Sequence, residues 1–377
     1  MSGGCVGVMG SVNEYDVVVV GAGQAGLSAA YALAKAGLDR ERYVVLDANP
    51  GPGGAWRQRW PSLTLGAAHR VHPLPGLDLP DSDPAEPASA VVGRYFGQYE
   101  RVFELPVMRP VRVTAVTGRD ISGPLSVHAG ATRLATRTLI NATGTWDRPY
   151  WPYYPGRETF CGRQLHTHDY RSAEEFRGQH VVVVGGGTSA VQFLLQLDAA
   201  GATTTWVTRR PPEFTKRPFD EEWGRDVEAA VNAATSAGLP SGSVVSYTKI
   251  PLTDAYAAGI SSGVLVSQGP LAEVVPEGVV LADGRHIAAD AILWATGFRP
   301  GLSHLAPLHL REPGGGIVVD GVRVARDPRL FLVGYGASAS TLGATRAGRQ
   351  AARGARPAPL PCRLNPRQPT RRLIPPT

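Results

Sequence analysis

Two glycine turns carry the chemistry that this chain offers. GAGQAG sets Gly21, Gly23 and Gly26 behind the apolar run Val17–Val20, and GGGTSA sets Gly185, Gly187, Thr188, Ser189 and Ala190 behind Val181–Val184. In such a turn the first glycine permits the tight bend and the second lets backbone approach a pyrophosphate. The third position, glycine or alanine, lets the following helix pack on its strand. The helix N-terminus then offers free N–H groups and a positive dipole end to phosphates. The copies differ after their next apolar run, where the first has Asp47 and the second has Arg209 and Arg210. A carboxylate accepts hydrogen bonds from a ribose 2′-hydroxyl and repels a 2′-phosphate, whereas arginine's planar fork suits that phosphate. The first turn therefore suits FAD or NAD and the second NADPH, an arrangement through which a hydride can pass from one dinucleotide to the other. A solvated charge pair remains the plain alternative for Arg209 and Arg210.

The elements that must position these residues are also written twice. Each β-branched run reads as a buried parallel strand. A helical stretch follows each turn, closed by Gly37 in the first copy and Gly201 in the second. The next strands are Tyr43–Leu46 and Thr204–Val207. Each copy then runs through a β-rich stretch to the letters ATG: Ala142, Thr143 and Gly144, then Ala295, Thr296 and Gly297. This long internal repeat predicts an α/β protein with two Rossmann-like dinucleotide-binding domains. The expected order is an FAD domain over 13–161, an inserted NADPH domain over 162–287, and a second FAD piece over 288–354. A Pro/Arg-rich, disordered tail is expected over 355–377. A helical run is expected over Glu221–Ala237.

The chain has 377 residues, a length that suits two domains, and 43% of them are hydrophobic. The net charge of +6 rests largely on the tail, where Arg356, Arg363, Arg367, Arg371 and Arg372 stand without an acid. The charge thus gives no case for a nucleic-acid partner. No run of about eighteen apolar residues is present, so no membrane span is expected. The opening MSGGCVGVMGSVNEYD lacks the pattern of a signal peptide and reads as a disordered lead. Cys5, Cys161 and Cys362 have no redox or metal spacing. A reducing cytoplasm is expected, with no metal. A homodimer stays open.

The stretch FCGRQLHTHDY, Phe160–Tyr170, reads F-x-G-x-x-x-H-x-x-x-Y. GPGGAWRQRWPSLTL (Gly51–Leu65), LPGLDLP (Leu74–Pro80) and RLFLVGYGASASTLGATRAGRQAA (Arg329–Ala352) complete an ordered set. Together they resemble the flavin-containing monooxygenases, class B flavoproteins that bind FAD and NADPH, over nearly the whole folded chain. The resemblance implies that Gly21, Gly23, Gly26 and Asp47 hold FAD, and that Gly53, Gly54, Trp56 and Arg57 lie beside the flavin. It further implies that Gly144 and Gly334, with the helix N-terminus near Thr345, belong to the flavin site. It sets His166 near bound NADP and Phe160 and Tyr170 as packing residues. The chain departs from the pattern at Thr188, where asparagine is usual, and at Thr167, where serine is common. It departs again at Gly66, near which many relatives carry an asparagine beside the flavin. His166 and Gly66 are thus the candidate catalytic positions.

The function so implied is oxygen insertion from O2 into a small-molecule substrate, an amine or sulfide, through an oxygenated flavin C4a adduct. Such an adduct must be shielded from water. Baeyer–Villiger oxidation of a ketone is the neighbouring reading, although Arg171 stands where that fingerprint typically has Pro or Asp. An NADPH-dependent reductase or oxidase, or a redox sensor that only binds both cofactors, are the others. Disulfide reduction would need a cysteine pair beside the flavin, and the sequence has none.

Overall fold

The computed structural model describes residues 13–68, 71–217, 221–240, 249–339 and 341–355. The N-terminal lead before residue 13 and the Pro/Arg-rich tail after residue 355 lie outside the described residues.

Val17–Val20 forms the end of the strand Asn13–Val20, the central member of a parallel set in the first sheet. On one side lie Tyr43–Leu46 and then Val107–Met108; on the other lie Thr132–Asn141 and then Leu330–Leu332. The central strands are apolar throughout because both faces are covered. Helices Gln24–Lys35 and Thr341–Gly354 cover one face, crossing so closely at Gly348 that a Cβ there would lie 2.5 Å from the Ala25 carbonyl oxygen. Val116 and Val127, from antiparallel strands, pack on the other face with Leu302, Leu305 and Ile317.

The second sheet is parallel in the order Arg163–His166, Ala291–Trp294, His180–Val184, Thr203–Val207. The expected boundary after residue 287 falls just ahead of the strand Ala291–Trp294. Ala291–Trp294 pairs with both Arg163–His166 and His180–Val184, so the chain leaves the second sheet only after residue 294. The expected helical run at 221–237 is the helix Glu221–Ser236.

The two halves share a core. Trp60, 2% exposed, packs its ring 4.8 Å from Phe193 and 5.9 Å from Tyr170. Ser62 donates to Gln196 at 3.2 Å, and Gln192 donates to the Ala67 carbonyl at 3.2 Å. The segment after the first glycine pair is thereby docked on the helix Thr188–Ala199, which opens from the second turn. A buried tryptophan of this kind contributes roughly 3–5 kcal/mol against truncation to alanine.

Candidate functional site

Both clefts lie at the carboxyl ends of parallel strands, where open α/β sheets bind ligands. They are built the same way. Gly21 adopts a φ of +101°, and a Cβ on it would lie 2.5 Å from the Ala142 carbonyl oxygen; a Cβ on Gly185 would lie 2.2 Å from the Ala295 carbonyl oxygen. The alanine of each ATG sequence therefore fills the space that a side chain on the first glycine would need. This contact explains why the two motifs recur together. The third position is equally tight: a Cβ on Gly26 would sit 1.9 Å from the Gly21 oxygen.

The middle glycines differ. A Cβ on Gly187 would meet nothing within 4 Å, and one on Gly23 would meet only Gly54 Cα at 4.0 Å. Each of these glycines is the N-cap of its helix, with no side-chain cap on the first N–H groups. Open space over uncapped N–H groups fits a pyrophosphate in both clefts. Thr188 and Ser189 are the first residues of the second of these helices.

The first cleft is closed by further glycines. Gly54, at a φ of +53°, brings its backbone against Gly23: a Cβ on it would lie 2.8 Å from Gly23 Cα. Gly53 is packed between Arg57 and Gly93, and Gly334 approaches Gly144. Thr345, on the closing helix, accepts a 3.0 Å hydrogen bond from Gln24, which also donates to the His72 carbonyl. Trp56 is half-buried. Arg57 is exposed, donates to the Pro52 carbonyl, and lines a cavity of about 610 Å³ beside helix Ala88–Val102.

A polar chain runs through this cleft. The Trp146 indole donates to Gln58 at 2.7 Å, Gln58 to Asn49 at 3.1 Å, and Asn49 to Asp47 at 3.1 Å. Asp47 is 4% exposed and takes a second hydrogen bond from Arg109 Nε at 2.6 Å. The Arg59 guanidinium carbon lies 4.4 Å from the Trp146 ring centre and 5.9 Å from that of Trp56. No described carboxylate pairs with Arg59, and burial pulls its pKa down to about 10.

In the second cleft, Arg209 and Arg210 are exposed just beyond strand Thr203–Val207 and pair with no described carboxylate. Burial raises the pKa of the nearby Tyr154 phenol, and the charge of Arg209 opposes that rise.

The two expected catalytic positions lie in different surroundings. His166 is fully buried. Its Nε2 donates to the Gly297 carbonyl at 3.0 Å, and its Nδ1 accepts from the His168 N–H at 3.1 Å. Burial holds its pKa down at about 4. With both nitrogens committed to backbone, His166 clamps the linker to the second ATG turn and has no atom left to carry a proton to a ligand. Gly66 is an exposed turn residue whose N–H donates to the Pro84 carbonyl at 2.9 Å, and it brings no reactive group. Phe160 and Tyr170 are buried packing residues.

Comparison with known proteins bears directly on this geometry. The pyridine nucleotide-disulphide oxidoreductase family model matches residues 18–334. A flavin-containing monooxygenase from Stenotrophomonas maltophilia superposes with a TM-score of 0.75 at 37% identity, covering 91% of this chain and 98% of that one. The chain belongs to the flavin monooxygenases of the pyridine nucleotide-disulphide oxidoreductase family. Indole-3-pyruvate monooxygenase YUCCA1 of Oryza sativa subsp. japonica is 28% identical over 79% of each chain. The OTEMO complex with FAD and NADP, 17% identical, shares the fold with a TM-score of 0.63, covering 90% of this chain and 85% of that one. The enzyme is thus an FAD- and NADPH-dependent oxidoreductase of the monooxygenase type. Among the described residues there is no disulphide, and Cys161 is an exposed free thiol. No helix among the described residues is long and apolar enough to cross a membrane.

Sequence reading missed Gln24, Asn49, Gln58, Arg59, Glu100, Arg109 and Trp146. Asn49, Gln58 and Arg59 flank the recognised GGAW segment. Arg109 follows a two-residue strand without a motif, and only folding brings it to Asp47.

Proposed function

We propose that the protein inserts one oxygen atom of O2 into a small nucleophilic substrate, an amine or a sulfide, at the expense of NADPH. The carrying observation is the pair of like-built clefts with unlike ends, a buried carboxylate at Asp47 and exposed arginines at Arg209 and Arg210 that pair with no described carboxylate. In this reading, Gly21, Gly23 and Gly26 seat the FAD pyrophosphate on the first helix N-terminus. Asp47 takes its ribose hydroxyls. Gly53, Gly54, Trp56, Gly144, Gly334 and Thr345 surround the flavin end, with Arg57 at its outer edge. Gly185, Gly187, Thr188 and Ser189 seat the NADPH pyrophosphate, and Arg209 and Arg210 take its 2′-phosphate.

Bound flavin supplies hydride acceptance and oxygen activation. The chain's own residues bind, orient and exclude water. Trp146 and Phe298, which follow the two ATG turns, stack with ring centres 4.8 Å apart, and in this reading they help to exclude water. His166 fixes the second turn from behind. No acid–base dyad is required of the protein, which agrees with a histidine wholly committed to backbone.

The test is anaerobic reduction of the FAD-loaded enzyme by NADPH, then rapid mixing with oxygen and a panel of amines and sulfides. A transient absorbance distinct from oxidised and reduced flavin, with oxygenated product, is expected. Failure of NADPH to bleach the flavin would overturn the reading.

A further inference from the structure

The residue best placed to meet the FAD ribose is not free. Arg109 Nε donates to Asp47 Oδ2 at 2.6 Å, while its two terminal nitrogens form a fork–fork pair with Glu100, both bonds at 2.7 Å. The three side chains are 5% (Asp47), 11% (Arg109) and 13% (Glu100) exposed, so solvent screens them little. The backbone reinforces the pairing: the Asp47 N–H donates to the Met108 carbonyl at 3.0 Å, and the Val111 N–H donates to the Asp47 carbonyl at 2.8 Å. The segment that carries Arg109 therefore wraps the residue it binds.

An arginine beside the acid at the end of a second Rossmann strand is the usual means of admitting a 2′-phosphate. Here that fork is already filled. Two carboxylates against one guanidinium leave the group net negative. Each Asp47 oxygen accepts one protein hydrogen bond, from Arg109 and from Asn49, and keeps acceptor capacity for ribose hydroxyls.

We propose that Arg109 and Glu100 set the nucleotide selectivity of the first cleft. Arg109 positions Asp47 for an unmodified ribose. Glu100 occupies the fork of Arg109, so that a 2′-phosphorylated nucleotide meets negative charge and no open guanidinium fork. The selectivity between the clefts thus rests on arginines in both, exposed and without a described carboxylate partner at 209 and 210 and sequestered at 109. This rests on the reading of the first cleft as the FAD adenosine site.

The test uses the full chain stripped of flavin and titrated with FAD, with ADP and 2′,5′-ADP as displacers. Displacement of FAD reports on the first cleft alone. In the wild type, 2′,5′-ADP is expected to displace FAD at least about tenfold less well than ADP. Glu100→Gln keeps the shape, removes one charge, and is expected to bring the two displacers within about threefold. Arg109→Lys, which supplies a point charge without a fork, is expected to weaken FAD about tenfold or more while leaving NADP⁺ affinity at the second cleft unchanged. A displacer ratio unaltered by Glu100→Gln would overturn the proposal, as would wild-type FAD affinity in Arg109→Lys. Should the lysine variant not fold, the Glu100→Gln ratio decides alone. The underlying reading is checked separately by Asp47→Asn: unchanged FAD affinity there removes the adenosine site itself, whereas a loss there without an Arg109 effect removes only the proposal.

Discussion

His166 donates a 3.0 Å hydrogen bond from Nε2 to the Gly297 carbonyl oxygen, fastening the linker to the ATG turn of the second half. The first half has its own version. His304 Nε2 lies 2.8 Å from the Asn141 amide oxygen, at the residue that leads into the other ATG turn. Thr143 of that turn donates in turn to the Gly301 carbonyl at 2.8 Å. Each flavoprotein half therefore has a buried imidazole behind the turn that faces a cofactor cleft.

Both imidazoles are held neutral, with pKa values pushed by burial from 6.5 down to about 4. A histidine whose folded pKa is depressed stabilises the fold above its unfolded pKa, and that contribution is lost as pH falls toward the folded value. Stability is therefore expected to decline between pH 6.5 and about 4, by up to roughly 3 kcal/mol for each histidine. Thermal melts across that window check this, and His304→Gln should flatten part of the slope. Melting temperatures that stay level down to pH 4.5 would sink the assignment.

Gly23 and Gly26 should part company on substitution. A Cβ at position 26 collides with the backbone oxygen of Gly21 at 1.9 Å, so Gly26→Ala is expected to destabilise the protein even without FAD. A Cβ at position 23 meets only Gly54 Cα, at 4.0 Å. Gly23→Ala is thus expected to keep the flavin-free melting temperature and to weaken FAD by about tenfold or more, because the space it enters belongs to the ligand. Flavin titration and melting of the two variants settle the matter, and equal losses of both quantities would refute the distinction.

Much of this was legible in the sequence because the glycine turns and ATG runs report backbone sterics, which leave a local signature. The strand Tyr43–Leu46, the repeated turns and the linker fingerprint all follow from short-range patterns. What escaped depends on long-range placement. Arg109 and Glu100 reach Asp47 only because the short strand Val107–Met108 pairs beside Tyr43–Leu46. Which sheet claims the strand before each ATG run is likewise set by long-range pairing: Ala291–Trp294 joins Arg163–His166 and His180–Val184. The partners of His166 were equally out of reach, since only the fold shows what its two nitrogens touch.

Arg59 gives a stability expectation of unusual sign. A shift from 12.5 to about 10 corresponds to roughly 3 kcal/mol of desolvation cost at 1.36 kcal/mol per unit. The contact with Trp146 returns about 2 kcal/mol. Arg59→Met keeps the stem and removes the charge, so the flavin-free protein is expected to melt a few degrees higher, at about 2–4 °C per kcal/mol. A lower melting temperature would mean that the indole contact outweighs desolvation.

Arg209 and Arg210 supply the clearest functional contrast. They stand exposed, without carboxylate partners among the described residues, so their charge is available to a ligand. Coulombic attraction to a 2′-phosphate exists for NADPH and not for NADH. Removing it should therefore raise the KM for NADPH and leave that for NADH nearly unchanged. For Arg209→Ala and Arg210→Ala together, the discrimination between the two nucleotides is expected to fall by about tenfold to a hundredfold, the worth of one or two charge-assisted hydrogen bonds. The rate of flavin bleaching at saturating NADPH should stay near wild type, since neither arginine is placed at the flavin end. Equal loss with both nucleotides would assign the pair to folding of the loop, and no loss with either would place the 2′-phosphate elsewhere in the second cleft.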